Sequence, residues 1–271
     1  MTTDNAEQGS EKPRPGRARV ARATGMTVAL TFLVLGLTGC TNNTFTRLGF
    51  PDPITPQGKT TLTLWQGSWI AGLAVGALVW GLILWAVIFH RKRGDRLPPQ
   101  ARYNMPIEIM YTAVPFVLIA VLFYYTAKDE NYINELPKNP AVTVNVLGFQ
   151  WSWQFNYPQY HVTNTGEMWD EGPLPVLEIP TGETVEFNLT SDDVVHAFWI
   201  PEFLFKRDVI PDHPNHFEVT ATQTGTFTGH CSELCGLYHS RMLFTVKVVT
   251  PQQFQAYMAA QEAAQSSGST Q

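Results

Sequence analysis

Residues 141–155 read Ala141-Val142-Thr143-Val144-Asn145-Val146-Leu147-Gly148-Phe149-Gln150-Trp151-Ser152-Trp153-Gln154-Phe155. Val142, Val144 and Val146 alternate with Thr143 and Asn145; Trp151, Trp153 and Phe155 alternate with Ser152 and Gln154. A period of two sends one set of side chains to one face, which is the pattern of a half-buried strand. Further strand candidates follow at residues 176–179, 184–189, 197–200, 216–221, 225–228 and 242–249. Turn residues separate them: Thr181-Gly182, Ser191-Asp192-Asp193, Pro211-Asp212 and Thr224-Gly225. A run of short strands so punctuated predicts an antiparallel sandwich. Beyond it, Thr250-Pro251-Gln252-Gln253 reads as a capped helix start, with a helix over 254–264 and a disordered tail from Ser266.

Between the last strand candidates stands His230-Cys231-Ser232-Glu233-Leu234-Cys235-Gly236-Leu237-Tyr238-His239-Ser240-Arg241-Met242. Cys231, Cys235, His239 and Met242 lie at offsets 0, 4, 8 and 11, a spacing that one folded-back loop can gather. Thiolate and thioether are soft donors and imidazole is intermediate, a mixture that selects copper against magnesium or calcium. Gly236 allows a backbone conformation that other residues resist. His196 opens an earlier strand candidate, and in a sandwich such a residue meets the loop between two later strands at the same end. Two His, two Cys and one Met exceed the needs of one trigonal copper. They suit two coppers bridged by two thiolates, each with one terminal His. Met242 would be weak on one and a backbone carbonyl weak on the other. Two other uses of these residues stand beside this one: a disulfide between Cys231 and Cys235, and a Cys₂His₂ zinc site. His213, His216 and His230 have no matching partner spacing and read as non-ligands.

Upstream, the pattern changes. Residues 60–89 carry no charge, and about 20 apolar residues at 1.5 Å each cross a bilayer core of about 30 Å. A second uncharged run covers 109–127 and contains Pro115, which removes one helical hydrogen bond and predicts a kink. The loop between them holds Arg91, Lys92, Arg93, Arg96 and Arg102 against Asp95. The positive-inside rule puts that loop in the cytoplasm, hence residues 130–271 outside.

Residues 1–39 read as a processing segment, with a basic stretch from Lys12 to Arg22 and an uncharged, mostly apolar stretch from Met26 too short to span. It ends in Leu37-Thr38-Gly39-Cys40, which resembles the lipobox of bacterial lipoproteins. On that resemblance, cleavage precedes Cys40, which becomes a lipidated N-terminus outside the cell. Residues 40–59 are polar and Pro-rich, an outer linker.

Composition narrows the function. With 44% hydrophobic and 12% aromatic residues the chain is not largely disordered. Residues 130–271 hold 5 Lys/Arg against 16 Asp/Glu, a net −11, which argues against nucleic-acid binding and suits a basic protein partner. Acidic pairs at Asp170-Glu171 and Asp192-Asp193 are candidates for steering that partner. No C-x-x-C-H haem attachment motif occurs.

From about residue 60 to 250 the chain resembles subunit II of the heme–copper cytochrome c oxidases, in its bacterial aa3 type. Every fixed position of the family pattern C-S-E-x-C-G-x-x-H-x-x-M is present. The resemblance implies a two-helix transmembrane hairpin (60–128) followed by an all-β, cupredoxin-like Greek-key sandwich (129–250). It implies a multi-pass subunit of the bacterial plasma membrane with that domain on the outer face. It implies a dinuclear copper (CuA) centre with Cys231 and Cys235 bridging, His196 and His239 terminal, and Met242 and the Glu233 carbonyl weak. It implies that the Glu233 side chain reaches a magnesium or manganese ion shared with subunit I. Trp151 is implied to be the electron entry point from cytochrome c, or from a c-type heme domain, and Glu108 to lie at the mouth of a proton channel. The partners implied are subunits I and III, with oxygen reduction and proton pumping in subunit I. Phe149 departs from the His that many relatives carry, without touching the entry role. A quinol oxidase subunit II typically lacks the copper ligands. Nitrous oxide reductase needs a propeller domain absent here, a single-copper carrier uses one Cys, and a structural subunit uses no metal.

Overall fold

The structure, a computed structural model, describes residues 45–92, 94, 100–136, 139–167 and 172–268. The processing segment and Cys40 lie outside the described residues, as do Asp170 and Glu171.

Among the described residues, two long helices precede the strands. Helix α1 spans Pro56–Phe89, starting before the uncharged run. The Thr55 hydroxyl accepts from Gly58 N at 2.9 Å, and Pro56 sits where a missing N–H costs nothing. Helix α2 spans Met105–Ile133, capped by the Asn104 side chain, and stays one helix through Pro115. Their apolar side chains are exposed (Ile70 by 70%, Phe116 by 71%) because only lipid or another chain would cover them. At roughly 1.5 Å per residue, α1 exceeds the bilayer core, so one end is free to dock on the domain that follows. Ile54 N–H donates to the Glu202 carbonyl and the Ile54 carbonyl accepts from Thr222 N, strapping the helix start to the β domain. Gly58 completes the strap: a Cβ there would lie 2.6 Å from the Phe203 carbonyl oxygen.

Among the described residues ten strands follow: β1 (Val142–Phe149), β2 (Ser152–Tyr157), β3 (Val162–Thr165), β4 (Val176–Pro180), β5 (Thr184–Ser191), β6 (His196–Ile200), β7 (Phe205–Val209), β8 (Asn215–Thr220), β9 (Gly225–Cys231) and β10 (Leu243–Val249). They form two five-stranded sheets, ordered β3-β2-β1-β5-β8 and β4-β10-β9-β6-β7. The period-two reading of β1 holds: Val142, Val144 and Val146 are buried. Phe198 of β6 stacks on Phe244 of β10 within one sheet at 4.9 Å, and Trp153 of β2 meets both edge-on from the other sheet.

The expectation of an antiparallel sandwich is corrected. Strand β1 runs parallel to β5, and β4 parallel to β10. After β3 the chain crosses to the second sheet for β4 and returns for β5, and such crossovers make parallel neighbours available. Strands β3 and β7 escape the sequence reading because one is short and the other, Phe-Lys-Arg-Asp-Val, is a charged edge strand. The last strand leads into helix α3 (Pro251–Gly268), which takes in Ser266 and Ser267, read from the sequence as tail. Its capping box is as expected: Gln253 N donates to Thr250 Oγ1 at 3.3 Å, and Thr250 N to Gln253 Oε1 at 3.0 Å.

Candidate metal centre

Three connections converge at one end of the sandwich. The first is the β1–β2 turn, residues 149–152. The second is the bend 191–195 that leads into β6. The third is the long loop from Cys231, at the end of β9, to Met242, before β10. Strand pairing sets their relation, because β6 and β9 are neighbours with Phe198 opposite Cys231. Cys231 N donates to the Met242 carbonyl at 3.0 Å, closing the loop on itself, and Ser232 N donates to the Ala197 carbonyl at 3.0 Å, tying it to β6.

The donor atoms gather inside this closure. Sγ of Cys231 and Sγ of Cys235 lie 3.8 Å apart, well beyond the disulfide length of about 2.05 Å, and both thiols are free. His196 Nδ1 is 3.8 Å from Cys231 Sγ. His239 Nδ1 is 3.6 Å and Met242 Sδ 3.8 Å from Cys235 Sγ. The Glu233 carbonyl oxygen is 3.3 Å from Cys231 Sγ, while the Glu233 side chain belongs to an exposed residue. One imidazole thus stands by each sulfur. His196, Cys231 and Cys235 form a candidate metal site, their ligand atoms all within 4.8 Å of one another. His196, Cys231, Cys235 and Met242 are buried; His239 is half-buried.

The donor chemistry fits copper: two thiols, two imidazoles, a thioether and a carbonyl in a water-poor pocket. The spacing fits as well. Two sulfurs 3.8 Å apart allow one metal to touch both at a metal–thiolate length of about 2.3 Å.

The surrounding groups orient these donors. Asp193 Oδ1 is 2.8 Å from His196 Nε2. The same carboxylate accepts from Val194 N at 2.6 Å and from Gln150 N at 2.7 Å. Burial opposes the His196 charge, yet Cys231 and Asp193 beside it outweigh burial and raise its pKa. Burial also opposes ionisation of Asp193, but His196 and the two backbone donors hold the carboxyl below its usual range. Of the two thiols, Cys231 ionises first. Burial resists this, and hydrogen bonds from His196 and the backbone overcome it, bringing the thiol down to about 7. Burial and the neighbouring Cys231 push Cys235 up to about 12.

Trp151 stands at the rim, half-buried. Its indole N–H donates to the Cys235 carbonyl at 3.3 Å and its ring meets Tyr238 edge-on at 5.0 Å. The Gln150 side chain donates to the same carbonyl at 2.6 Å. Gly236 has φ +124°, the conformational freedom expected of it. Trp153 is fully buried, and its indole N–H reaches the Met242 carbonyl at 3.4 Å. Glu108 is far along the chain at the start of α2, where its carboxylate accepts from Asn104 N at 2.8 Å.

Three contributors to this site were not singled out from the sequence. Gly148 lies under His196, where a Cβ would come within 3.2 Å of the imidazole. A glycine inside a strand pattern is the available signal for such an approach. Gln150 carried no signal. Asp193, read only as surface charge, carries the His196 contact, which a strand-initial His three residues after an Asp would suggest.

A family model described as "Cytochrome C oxidase subunit II, periplasmic domain" matches residues 142–249, from β1 to β10. The chain is 45% identical over 295 residues to the probable cytochrome c oxidase subunit 2 of Streptomyces avermitilis, covering 95% of this chain and 91% of that relative. The chain belongs to the cytochrome c oxidase subunit II family. Cytochrome c oxidase subunit 2 of Mycobacterium tuberculosis is 37% identical, with 90% of this chain and 83% of the relative covered. A crystal structure of the periplasmic domain of subunit II of cytochrome oxidase from Bradyrhizobium japonicum is 29% identical, with a TM-score of 0.44, over 48% of this chain and 99% of that one. As a subunit II, the chain is part of cytochrome c oxidase, a heme–copper terminal oxidase. Its two apolar helices and subunit II domain fit a membrane protein whose C-terminal domain lies on the outer face.

Proposed function

We propose that this subunit receives electrons at a dinuclear copper (CuA) centre. Cys231, Cys235, His196 and His239 would hold it, with Met242 and the Glu233 carbonyl as weaker ligands. The carrying observation is the pair of free thiols 3.8 Å apart with an imidazole at each end. The chemistry supplied by the bound centre is one-electron relay, from cytochrome c or a c-type heme domain toward the heme–copper site of subunit I.

The protein's own residues prepare that relay. Asp193 accepts only, so His196 carries its proton on Nε2 and presents Nδ1 to the site. Met242, fully buried, closes the site to water. The loop is tied to β6 and to the β1–β2 turn, so its donors keep their places when charge changes, which keeps reorganisation small. Trp151 joins the outer surface to the Cys235 carbonyl and is the electron entry point. The exposed Glu233 side chain is free to reach a magnesium or manganese ion shared with subunit I. Glu108 serves at the mouth of a proton channel. The whole belongs to an aa3-type oxidase of the bacterial plasma membrane with subunits I and III, and Cys40 is its lipidated N-terminus.

The test is electron paramagnetic resonance together with copper counting on the purified oxidase. Hyperfine splitting from two equivalent copper nuclei, lost in Cys235→Ser, is expected. A mononuclear copper signal, or none, overturns the proposal.

A further inference from the structure

Two side chains donate to one backbone oxygen at the rim of the donor cluster. The carbonyl of Cys235 accepts from Gln150 Nε2 at 2.6 Å and from the Trp151 indole N–H at 3.3 Å. A carbonyl oxygen has two lone pairs, so these donors fill its capacity. The Gln150 bond is the shorter, and hydrogen bonds weaken with length. Room for both comes from Gly236, where a Cβ would lie 3.2 Å from Gln150 Nε2 and 3.1 Å from the Trp151 ring. The peptide that follows Cys235 is therefore gripped by two consecutive residues of the β1–β2 turn.

Gln150 also reaches the opposite end of the cluster. Its backbone N–H donates to Asp193 Oδ2 at 2.7 Å, and Asp193 Oδ1 lies 2.8 Å from His196 Nε2. One residue thus joins the carboxylate behind His196 to the carbonyl of Cys235. The two contacts use different parts of it: the main chain serves Asp193 and the side chain serves Cys235. Gln150 is an exposed residue, so core packing does not account for the placing of its amide.

We propose that Gln150 is a positioning residue that sets the reduction potential of the copper centre through the Cys235 carbonyl. This rests on the dinuclear copper reading and adds a tuning residue to it. The amide fixes the plane of the Cys235–Gly236 peptide, and with it the side chain of Cys235, whose Sγ stands 3.8 Å from that of Cys231. It also turns the positive end of a dipole toward a group beside the thiol. A positive pole favours the electron-rich state, so this donor raises the potential. Hydrogen bonding around a cysteine ligand is a general lever on that quantity. Trp151, on the same oxygen at the longer distance, shifts it less. Adjacent residues divide the work: Gln150 sets how strongly the electron is held, and Trp151 admits it.

The experiment is a redox titration of the copper signal in the purified oxidase complex, with copper counted on the same samples. Gln150→Leu removes the donor and keeps most of the bulk. Gln150→Glu replaces the donor with an acceptor that repels the carbonyl. Trp151→Phe removes the longer hydrogen bond. None of the three touches the backbone N–H that holds Asp193. The midpoint potential is expected to fall in Gln150→Leu, further in Gln150→Glu, and by less in Trp151→Phe than in Gln150→Leu, with two coppers retained per subunit II throughout. A wild-type potential in Gln150→Leu overturns the proposal. So does a shift confined to Gln150→Glu, which reports the added charge alone. Loss of copper from Gln150→Leu also overturns it, because the side chain then holds the loop closed and tunes nothing. The wild-type spectrum separates the two readings. Splitting from two copper nuclei beside an unshifted Gln150→Leu potential defeats the role of Gln150 only; a mononuclear wild-type signal defeats the copper pair and this role with it.

Discussion

Asp193 Oδ1 lies 2.8 Å from Nε2 of His196, a fully buried ring whose other nitrogen faces Cys231 Sγ at 3.8 Å. A carboxylate accepts and does not donate, so the contact fixes both the tautomer and the ring plane. Asp193→Ala removes this hold and leaves a buried N–H unpaired, at a cost of about 1–3 kcal/mol. Copper affinity is expected to fall about 10–100-fold. Asp193→Asn keeps an accepting oxygen and loses less. Titration of the purified oxidase with a copper chelator reads this directly. Wild-type affinity in the alanine variant defeats the argument.

Gly236 gives a second prediction, because two constraints coincide there. Its φ of +124° suits glycine, and an added methyl would lie 3.1 Å from the Trp151 ring and 3.2 Å from Gln150 Nε2. Gly236→Ala therefore strains the backbone by about 1–3 kcal/mol and displaces the indole that caps the Cys235 carbonyl. The thermal midpoint is expected to drop. Electron transfer from reduced cytochrome c, followed by stopped flow, is expected to slow while bound copper is retained. Unchanged transfer rates would remove Trp151 from the entry path.

How much of this could be read in advance differs from residue to residue. The strand periodicity of Val142, Val144 and Val146 is a direct imprint of burial on one face. Cys231, Cys235, His239 and Met242 share a loop, so their spacing alone suggests a common site. His196 needed a topological argument: one strand end meeting a later loop. The parallel neighbours β1/β5 and β4/β10 left no local trace, because strand direction is decided by where the chain crosses between sheets. Asp193 read as one more surface charge because its value comes from a ring held fixed by tertiary packing. Among the described residues it is a committed group, its carboxylate held by the His196 ring and by the backbone N–H groups of Val194 and Gln150.

Glu108 separates two roles that share one carboxylate. Its Oε1 accepts from Asn104 N at 2.8 Å, which helps to start α2, whatever protons do nearby. Glu108→Gln keeps an accepting oxygen and removes the titratable proton. Subunit II content and the copper signal are expected to stay at wild-type level while steady-state oxygen consumption falls. Glu108→Ala is expected to lose about 0.5–2 kcal/mol of helix stability in addition. A Gln variant that turns over at the wild-type rate leaves the capping role standing and ends the proton-channel one.

Glu178 yields a pH dependence whose sign is opposite to that of an ion-paired carboxylate. The residue is 5% exposed on β4, opposite Lys247 on β10. Burial raises its pKa; Lys247 lowers it, by less. The folded state therefore holds the proton at pH values where the unfolded chain has released it, and stability falls as pH rises through that window. The backbone of Glu178 is anchored separately, its N–H donating to Tyr157 Oη at 2.9 Å, so an isosteric side chain leaves the strand in place. Glu178→Gln is expected to raise the thermal midpoint of the outer domain at about pH 8, and to do so little at about pH 4, where the wild-type carboxyl is already protonated. Melting of both proteins across that range, followed by loss of the copper signal, gives the comparison. A Gln variant less stable than wild type at the alkaline end would mean that the Lys247 pairing, and not burial, governs this carboxylate.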